Sequence, residues 1–363
     1  MNPHEKGGAT MYTTGIVTDN RYIKHDPGAF HPESPRRLEA LYEMLESGNM
    51  RGKFYQIEPR LVEMSELTLI HRQSYIDEVA ATAGIAHTSL DADTVTSADS
   101  YEAALLAAGG LIEAVDLVME GTLKNAFAFV RPPGHHAEAG RSGGFCLFNN
   151  VAVAAAAARK KHGLKRILIT DWDLHHGNGT QHSFYDDPGV LYFSTHQYPY
   201  YPGTGSAGEI GRGPGEGYTI NVPLSRGRND TDYVRIFKEL LEPVALAYKP
   251  ELMLLSAGFD ICRGDTLGGM EVSVQGFAKL MRVLMNTADQ CCDGRLVATL
   301  EGGYNISMLV QSSKAVLKEM NGETRVTDRD IEETAQGAAV VTDQVLNTVK
   351  ERIAPFWPAG TFR

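Results

Sequence analysis

The sequence predicts a single α/β domain with a central, mostly parallel β-sheet flanked by helices on both faces. Three observations support that prediction: short apolar runs recur along the chain, stretches with helical spacing lie between them, and polar residues gather where the runs end. A strand covered on both faces loses its in-out alternation, so such runs read as buried parallel strands. Strands alternating with helices then give a doubly wound sheet.

The strand candidates are 126–131, 166–171, 190–195, 218–222, 251–257 and 296–301. Between them, Tyr233, Ile236, Phe237, Leu240, Leu241, Val244 and Tyr248 form one apolar stripe at helical spacing. Phe277, Leu280, Met281, Leu284, Met285 and Ala288 form another. Residues 101–119 and the alanine-rich 151–159 read as helices on the same ground. Two segments, 196–217 and 259–273, are too long for plain connections and read as active-site loops.

A length of 363 residues fits one large α/β unit, with residues 1–10 expected as a disordered tail and 11–363 as the folded domain. Trp357 is placed to tie the C-terminal end down. A formal net charge of −11 argues against a nucleic-acid surface, which needs clustered Lys and Arg. Cys146, Cys262, Cys291 and Cys292 form no C-x-x-C pair, so they read as reduced thiols. With no apolar run near the ~20 residues of a membrane helix, a cytoplasmic protein without membrane contact is expected. Nothing in the sequence specifies an oligomer.

The run 166–171 leads into Asp171-Trp172-Asp173-Leu174-His175-His176-Gly177-Asn178-Gly179. Alternate residues of an extended chain face the same way, so Asp171, Asp173 and His175 can approach one point. Carboxylate oxygens and an imidazole suit a divalent ion, and a catalytic zinc typically takes three protein ligands while keeping one position open. Asp260, just past the run 251–257, is the best further donor. Taken alone, the pattern reads equally well as two helix-capping aspartates and a core histidine.

Arg131-Pro132-Pro133-Gly134-His135-His136 sets adjacent histidines behind prolines that restrict the backbone. Imidazole titrates near neutrality, so one ring can take a proton from water and return it to a leaving amine. Ser142-Gly143-Gly144-Phe145-Cys146 lets a ligand come close to the main chain. Glu301-Gly302-Gly303-Tyr304-Asn305 can turn a phenol into the same cleft, where it would donate to a developing oxyanion.

In this order, RPPGHH, GGFCLFNN, DWDLHHGNGT, PGTG, SAGFD and LEGGY resemble the zinc-dependent histone deacetylase family, which shares its fold with arginases. The resemblance runs from about residue 12 to 310. It implies an amidohydrolase that removes acyl groups from lysine side chains, with one catalytic zinc held by Asp173, His175 and Asp260. His136 would be general base and then general acid, His135 would position the attacking water, Asp171 would orient His135, and Tyr304 would polarise the acyl carbonyl. Phe145 and Tyr201 match the aromatic pair around the acyl-lysine stem, with Gly144 beside them and Leu267 at the rim. The family usually has Phe where Tyr201 stands. Arg37, with Arg36 as competitor, resembles the buried arginine of an acetate exit path.

The resemblance further implies potassium, held largely by main-chain oxygens, at Asp171, Asp173, His175, Ser194 and Thr195. A second potassium site is implied near Phe184, Asp187 and Val190. Asn178 stands where class I members have Asp, which makes the chain class II-like and should lower the proton affinity of its histidine partner. An arginase-like pair of metals is disfavoured by Asn178 and Cys262, which stand where further carboxylates would be needed. An acetylpolyamine amidohydrolase remains an alternative, although Leu267 replaces the acidic gatekeeper of eukaryotic relatives. A silent acyl-lysine binding module would be expected to have lost part of this set.

Overall fold

The structure, a computed structural model, describes residues 13–337 and 339–362, so the expected tail at 1–10 lies outside the described residues. Its strands are β1 (Thr14–Val17), β2 (Tyr55–Ile57), β3 (Thr88–Ser89), β4 (Val95–Thr96), β5 (Asn125–Ala128), β6 (Ile167–Asp171), β7 (Val190–Gln197), β8 (Thr219–Leu224), β9 (Leu252–Ala257) and β10 (Leu296–Leu300). Eight of them form one sheet in the order β2-β1-β5-β10-β9-β6-β7-β8, and β3 pairs with β4 in a separate hairpin. Every neighbouring pair in the large sheet is parallel. All six strand candidates are strands of this sheet.

Every residue of β5, β6, β9 and β10 is buried, which explains why their sequences do not alternate. The crossover from β5 to β6 runs along the sheet in one direction, and that from β9 to β10 runs in the other. Right-handed crossovers in opposite directions put their helices on opposite faces. Helices Asn150–His162 and Val274–Cys292 are those two crossovers; the first packs on Ser100–Met119 and the second on Ile306–Met320. Each starts at a capping side chain: Asn149 accepts from the Ala152 amide and Ser273 from the Gly276 amide. Gly163 then ends the first with φ of 70°.

The apolar stripe from Tyr233 to Tyr248 belongs to three pieces rather than one helix: Asp230–Ile236, a π-helical turn Phe237–Leu241, and Glu242–Tyr248. Pro243 has no amide hydrogen to give the Glu239 carbonyl, and the wider turn just before it accommodates the missing bond. Trp357 donates from Nε1 to the Gly217 carbonyl at 3.2 Å, tying the C-terminal segment beside β8. Among the described residues no helix is long and apolar enough to cross a membrane.

Strand β6 lies between β7 and β9, and its connection leaves toward β7 while that of β9 leaves toward β10. Departing loops therefore open a crevice at the carboxyl ends of β6 and β9, the place where doubly wound sheets bind ligands. Pairing of Asp171 with Ser256 and Ser194 brings these strand ends level.

Candidate metal and catalytic site

Asp173 and His175, just past β6, and Asp260, just past β9, meet in that crevice. One ligand atom from each lies within 4.8 Å of the other two, and all three residues are buried. His175 Nδ1 is 3.1 Å from Asp173 Oδ1 and 3.2 Å from Asp260 Oδ2. Apart from that ion-pair approach, Asp260 Oδ2 is a buried carboxylate oxygen without a hydrogen-bond partner. Such an oxygen is costly to leave unpaired, and a divalent ion would satisfy it. Two oxygens and one nitrogen are the donor set of a catalytic zinc.

Asp171 does not join this group, although its spacing permitted it. Its Oδ2 takes the hydrogen bond of His135 Nδ1 at 3.0 Å and that of the Tyr192 hydroxyl at 3.0 Å. Because β6 ends at Asp171, alternation along the strand does not extend to Asp173, and the two carboxylates part.

The electrostatics divide the groups sharply. Burial and the neighbouring Asp173 push the Asp260 carboxyl up to about 7. Burial acts the same way on Asp173, but His135 and His175 outweigh it and hold its carboxyl well below the usual range. Burial disfavours charge on His135 as well, yet Asp171, Asp173 and Glu301 together raise it to about 10. His136, one residue away, is held well below the normal imidazole value by burial and by the charges of His135 and His175. Its Nδ1 is 2.8 Å from Asn178 Oδ1, so Nε2 is the nitrogen left for chemistry. Neighbouring titratable groups pushed in opposite directions are the mark of an acid-base site.

A cavity of about 210 Å³ opens above these groups, with Phe145, Tyr200, Tyr201, Leu267 and Tyr304 in its wall. The Tyr201 ring stands edge-on to His136 with centroids 5.0 Å apart, and Phe145 stands edge-on to Tyr304 at 6.1 Å. Burial keeps the Tyr304 phenol protonated well above its ordinary value, so it is a donor at any working pH. Arg37 lies beneath that ring, its guanidinium carbon 5.1 Å from the centroid. It is 1% exposed and donates to the Gly303 and Glu301 carbonyls, whereas Arg36 is exposed.

Two glycines are needed for space. Gly144 has φ of 54°, and a Cβ there would stand 2.2 Å from His136 Cδ2. A Cβ on Gly302 would stand 2.3 Å from Asp260 Oδ2 and 2.6 Å from Asp173 Oδ2. The Gly302 amide also donates to Asp173 Oδ2 at 2.8 Å. Gly302→Ala is therefore expected to splay the two carboxylates and weaken zinc binding by about 10-fold or more, the scale of disturbing a ligand's support. Competition with a chromogenic chelator measures this; unchanged affinity would refute the crowding argument.

Three further acidic residues support the site, none of them singled out by the sequence for that task. Glu301 accepts from the amides of Gly134 and His135 and from the Ser256 hydroxyl, so it clamps the histidine-bearing turn. Asp265 accepts from the amides of Tyr304, Asn305 and Leu267, fixing two parts of the wall at once. Asp93 lines the cavity and accepts from the Gly144 amide at 3.1 Å. Glu301 was recognisable as the charged end of a buried run; the other two lie in irregular loops.

Of the implied potassium positions, Ser194 and Thr195 are in β7 beside the end of β6, and Thr195 Oγ1 is buried without a partner. Phe184, Asp187 and Val190 sit together in one turn, where the Asp187 amide donates to the Phe184 carbonyl and the Val190 amide to that of Asp187.

Residues 31–320 match the histone deacetylase domain. Over 364 residues the chain is 38% identical to Histone deacetylase 15 of Arabidopsis thaliana, covering 97% of this chain and 64% of the plant protein. It is 39% identical over 329 residues to the Polyamine deacetylase HDAC10 of Homo sapiens, covering 87% of this chain and 48% of the human one. The crystal structure of the HDA15 HD domain superposes with a TM-score of 0.89 at 37% identity, covering 96% of each chain. The chain thus spans less than two thirds of the plant and human relatives it matches, and it belongs to the histone deacetylase family.

Proposed function

We propose that the protein is a zinc-dependent deacetylase acting on N-acyl-lysine, with residues 11–363 as its catalytic domain. The observation that supports this most is the convergence of Asp173, His175 and Asp260 beneath a narrow aromatic cavity that also exposes His136 and Tyr304. Zinc at that point would supply Lewis acidity to the acyl carbonyl and to the attacking water.

The chain's own groups account for the rest. His136, uncharged with Nε2 free, takes the proton of the attacking water and later delivers it to the departing amine. His135, held as a cation by Asp171, stabilises negative charge as it develops. Tyr304 donates its hydroxyl hydrogen bond to the acyl oxygen as the acyl carbon becomes tetrahedral and negative charge gathers on that oxygen. Phe145 and Tyr201 flank the aliphatic stem of the acylated side chain and exclude water around it. Arg37 beneath Tyr304 marks the inner end of the path along which the freed carboxylate would leave. Potassium at the carbonyls near Asp171, Asp173, His175, Ser194 and Thr195, and a second ion near Phe184, Asp187 and Val190, would brace the loops after β6.

An acetylated polyamine is the second reading, favoured by the carboxylate of Asp93 in the cavity wall and by the likeness to HDAC10. Leu267 at the rim offers no charge to a distal ammonium, so we place acyl-lysine first. Rates on acetyl-lysine peptides and on acetylputrescine, each with and without a zinc chelator, separate the two. We expect the peptide to be hydrolysed at least about 10-fold faster and both activities to vanish with chelator, since a tenfold preference needs only ~1.4 kcal/mol of differential binding. A faster rate on acetylputrescine reverses the order, and no turnover of either by the zinc-loaded protein leaves only a binding role.

A further inference from the structure

Asn178 supports His136 with an amide, and an amide has two unlike ends. With its oxygen inward it accepts, so His136 must carry its proton on Nδ1 and keep the Nε2 lone pair. With its NH2 inward it donates, the ring proton moves to Nε2, and the ring cannot receive a proton from water. A carboxylate at that position would accept from either oxygen and leave no such choice. Something else must therefore decide which way the Asn178 amide turns.

The structure shows what decides it. Asn178 Nδ2 donates to Glu138 Oε1 at 2.7 Å, and more weakly to the His136 carbonyl at 3.4 Å. An ionised carboxylate can only accept, so Glu138 holds the NH2 end away from the ring. Glu138 is itself fixed on both sides. Its side chain, 14% exposed, also accepts from His182 Nδ1 at 2.8 Å, and His182 is 44% exposed. Its main-chain oxygen accepts from His71 Nδ1 at 2.9 Å, and its amide donates to the Arg141 carbonyl at 2.9 Å. Burial favours the neutral acid, but the bonds from His182 and Asn178 outweigh it and hold the carboxyl below its ordinary value.

We propose that Glu138 is a positioning residue whose carboxylate pins the Asn178 amide oxygen toward His136, and so selects the tautomer with Nδ1 protonated and Nε2 free. This inference rests on the reading of His136 as general base. A wrong-tautomer substitution in a serine-protease triad lowers kcat about 10⁴-fold. Glu138→Gln is milder, because the His136 carbonyl still favours the right amide orientation. We expect kcat to fall about 10- to 100-fold with KM within about twofold.

The test has one spectroscopic arm and one kinetic arm. In the zinc-free full chain labelled with ¹⁵N-histidine, the His136 ring is identified by its loss in His136→Gln. The parent should show the Nδ1-protonated pattern, and Glu138→Gln should shift it toward Nε2-protonated. Kinetically, Glu138→Gln should cost little or nothing in an Asn178→Asp background, where there is no amide to orient, and such non-additivity marks a shared task. An unchanged tautomer, or the same loss in both backgrounds, overturns the proposal. A shifted tautomer with undiminished kcat leaves the pinning intact and overturns the general-base reading instead.

Discussion

Asp260→Asn is expected to leave a folded protein that binds zinc at least about 100-fold more weakly and turns over no measurable substrate. Loss of an outer partner of a metal ligand already costs 10–100-fold, and here a direct ligand loses its charge. Stability should separate this from simple misfolding. The Asp260 carboxyl is pushed up to about 7, above its unfolded value near 4. Between those values the folded chain keeps a proton that the unfolded chain has released, so zinc-free stability falls as pH rises from about 4 to about 7, and the full penalty stands above 7. Zinc-free Asp260→Asn should thus melt higher than zinc-free parent at pH 8 and differ little near pH 4.5. With zinc, the parent should gain stability and the variant should not. The same carboxyl must release its proton to bind the ion, so the parent's apparent zinc affinity should weaken as pH drops below about 7. A variant that keeps its zinc would remove Asp260 from the ligand set.

Tyr304→Phe is expected to retain zinc and fold while losing about 10²- to 10³-fold in kcat, the cost of one oxyanion donor. The ring stays over Arg37 and beside Phe145, so packing is little altered. Because the hydroxyl acts on charge that forms only in the transition state, KM should move far less than kcat. The loss should be flat across neutral pH, since the phenol never ionises there. An undiminished rate would take Tyr304 out of the chemistry.

Much of this was legible before any coordinates, and the reasons differ by element. Strands β5 to β10 announce themselves because each is buried almost entirely, on both faces, and so mostly apolar. Strands β1 and β2 have four and three residues, too few to show a period, and β2 is largely exposed. The hairpin β3–β4 pairs two residues with two and has no apolar pattern at all. Among site residues, Asp173, His175, Asp260 and Tyr304 were recognisable because motif and strand end coincide. Asp265 and Glu138 act by hydrogen bonds across loops, a relation that no periodicity encodes. Spacing also misled in one place: it grouped Asp171 with Asp173, but the strand stops between them and Asp171 turns to His135.

The candidate metal cluster draws on residues at 173, 175 and 260, and the Gly302 amide that steadies Asp173 comes later still. A ribosome emits these in sequence, with β7 and β8 emerging before Asp260 and β10 before Gly302. A nascent chain that stops short of residue 260 therefore presents a pair of these side chains but never the three, and the site that would hold an ion is complete only once the strands as far as β10 have been made. Any metal held there would accordingly be taken up late, by a sheet whose strands β6, β9 and β10 have already come together.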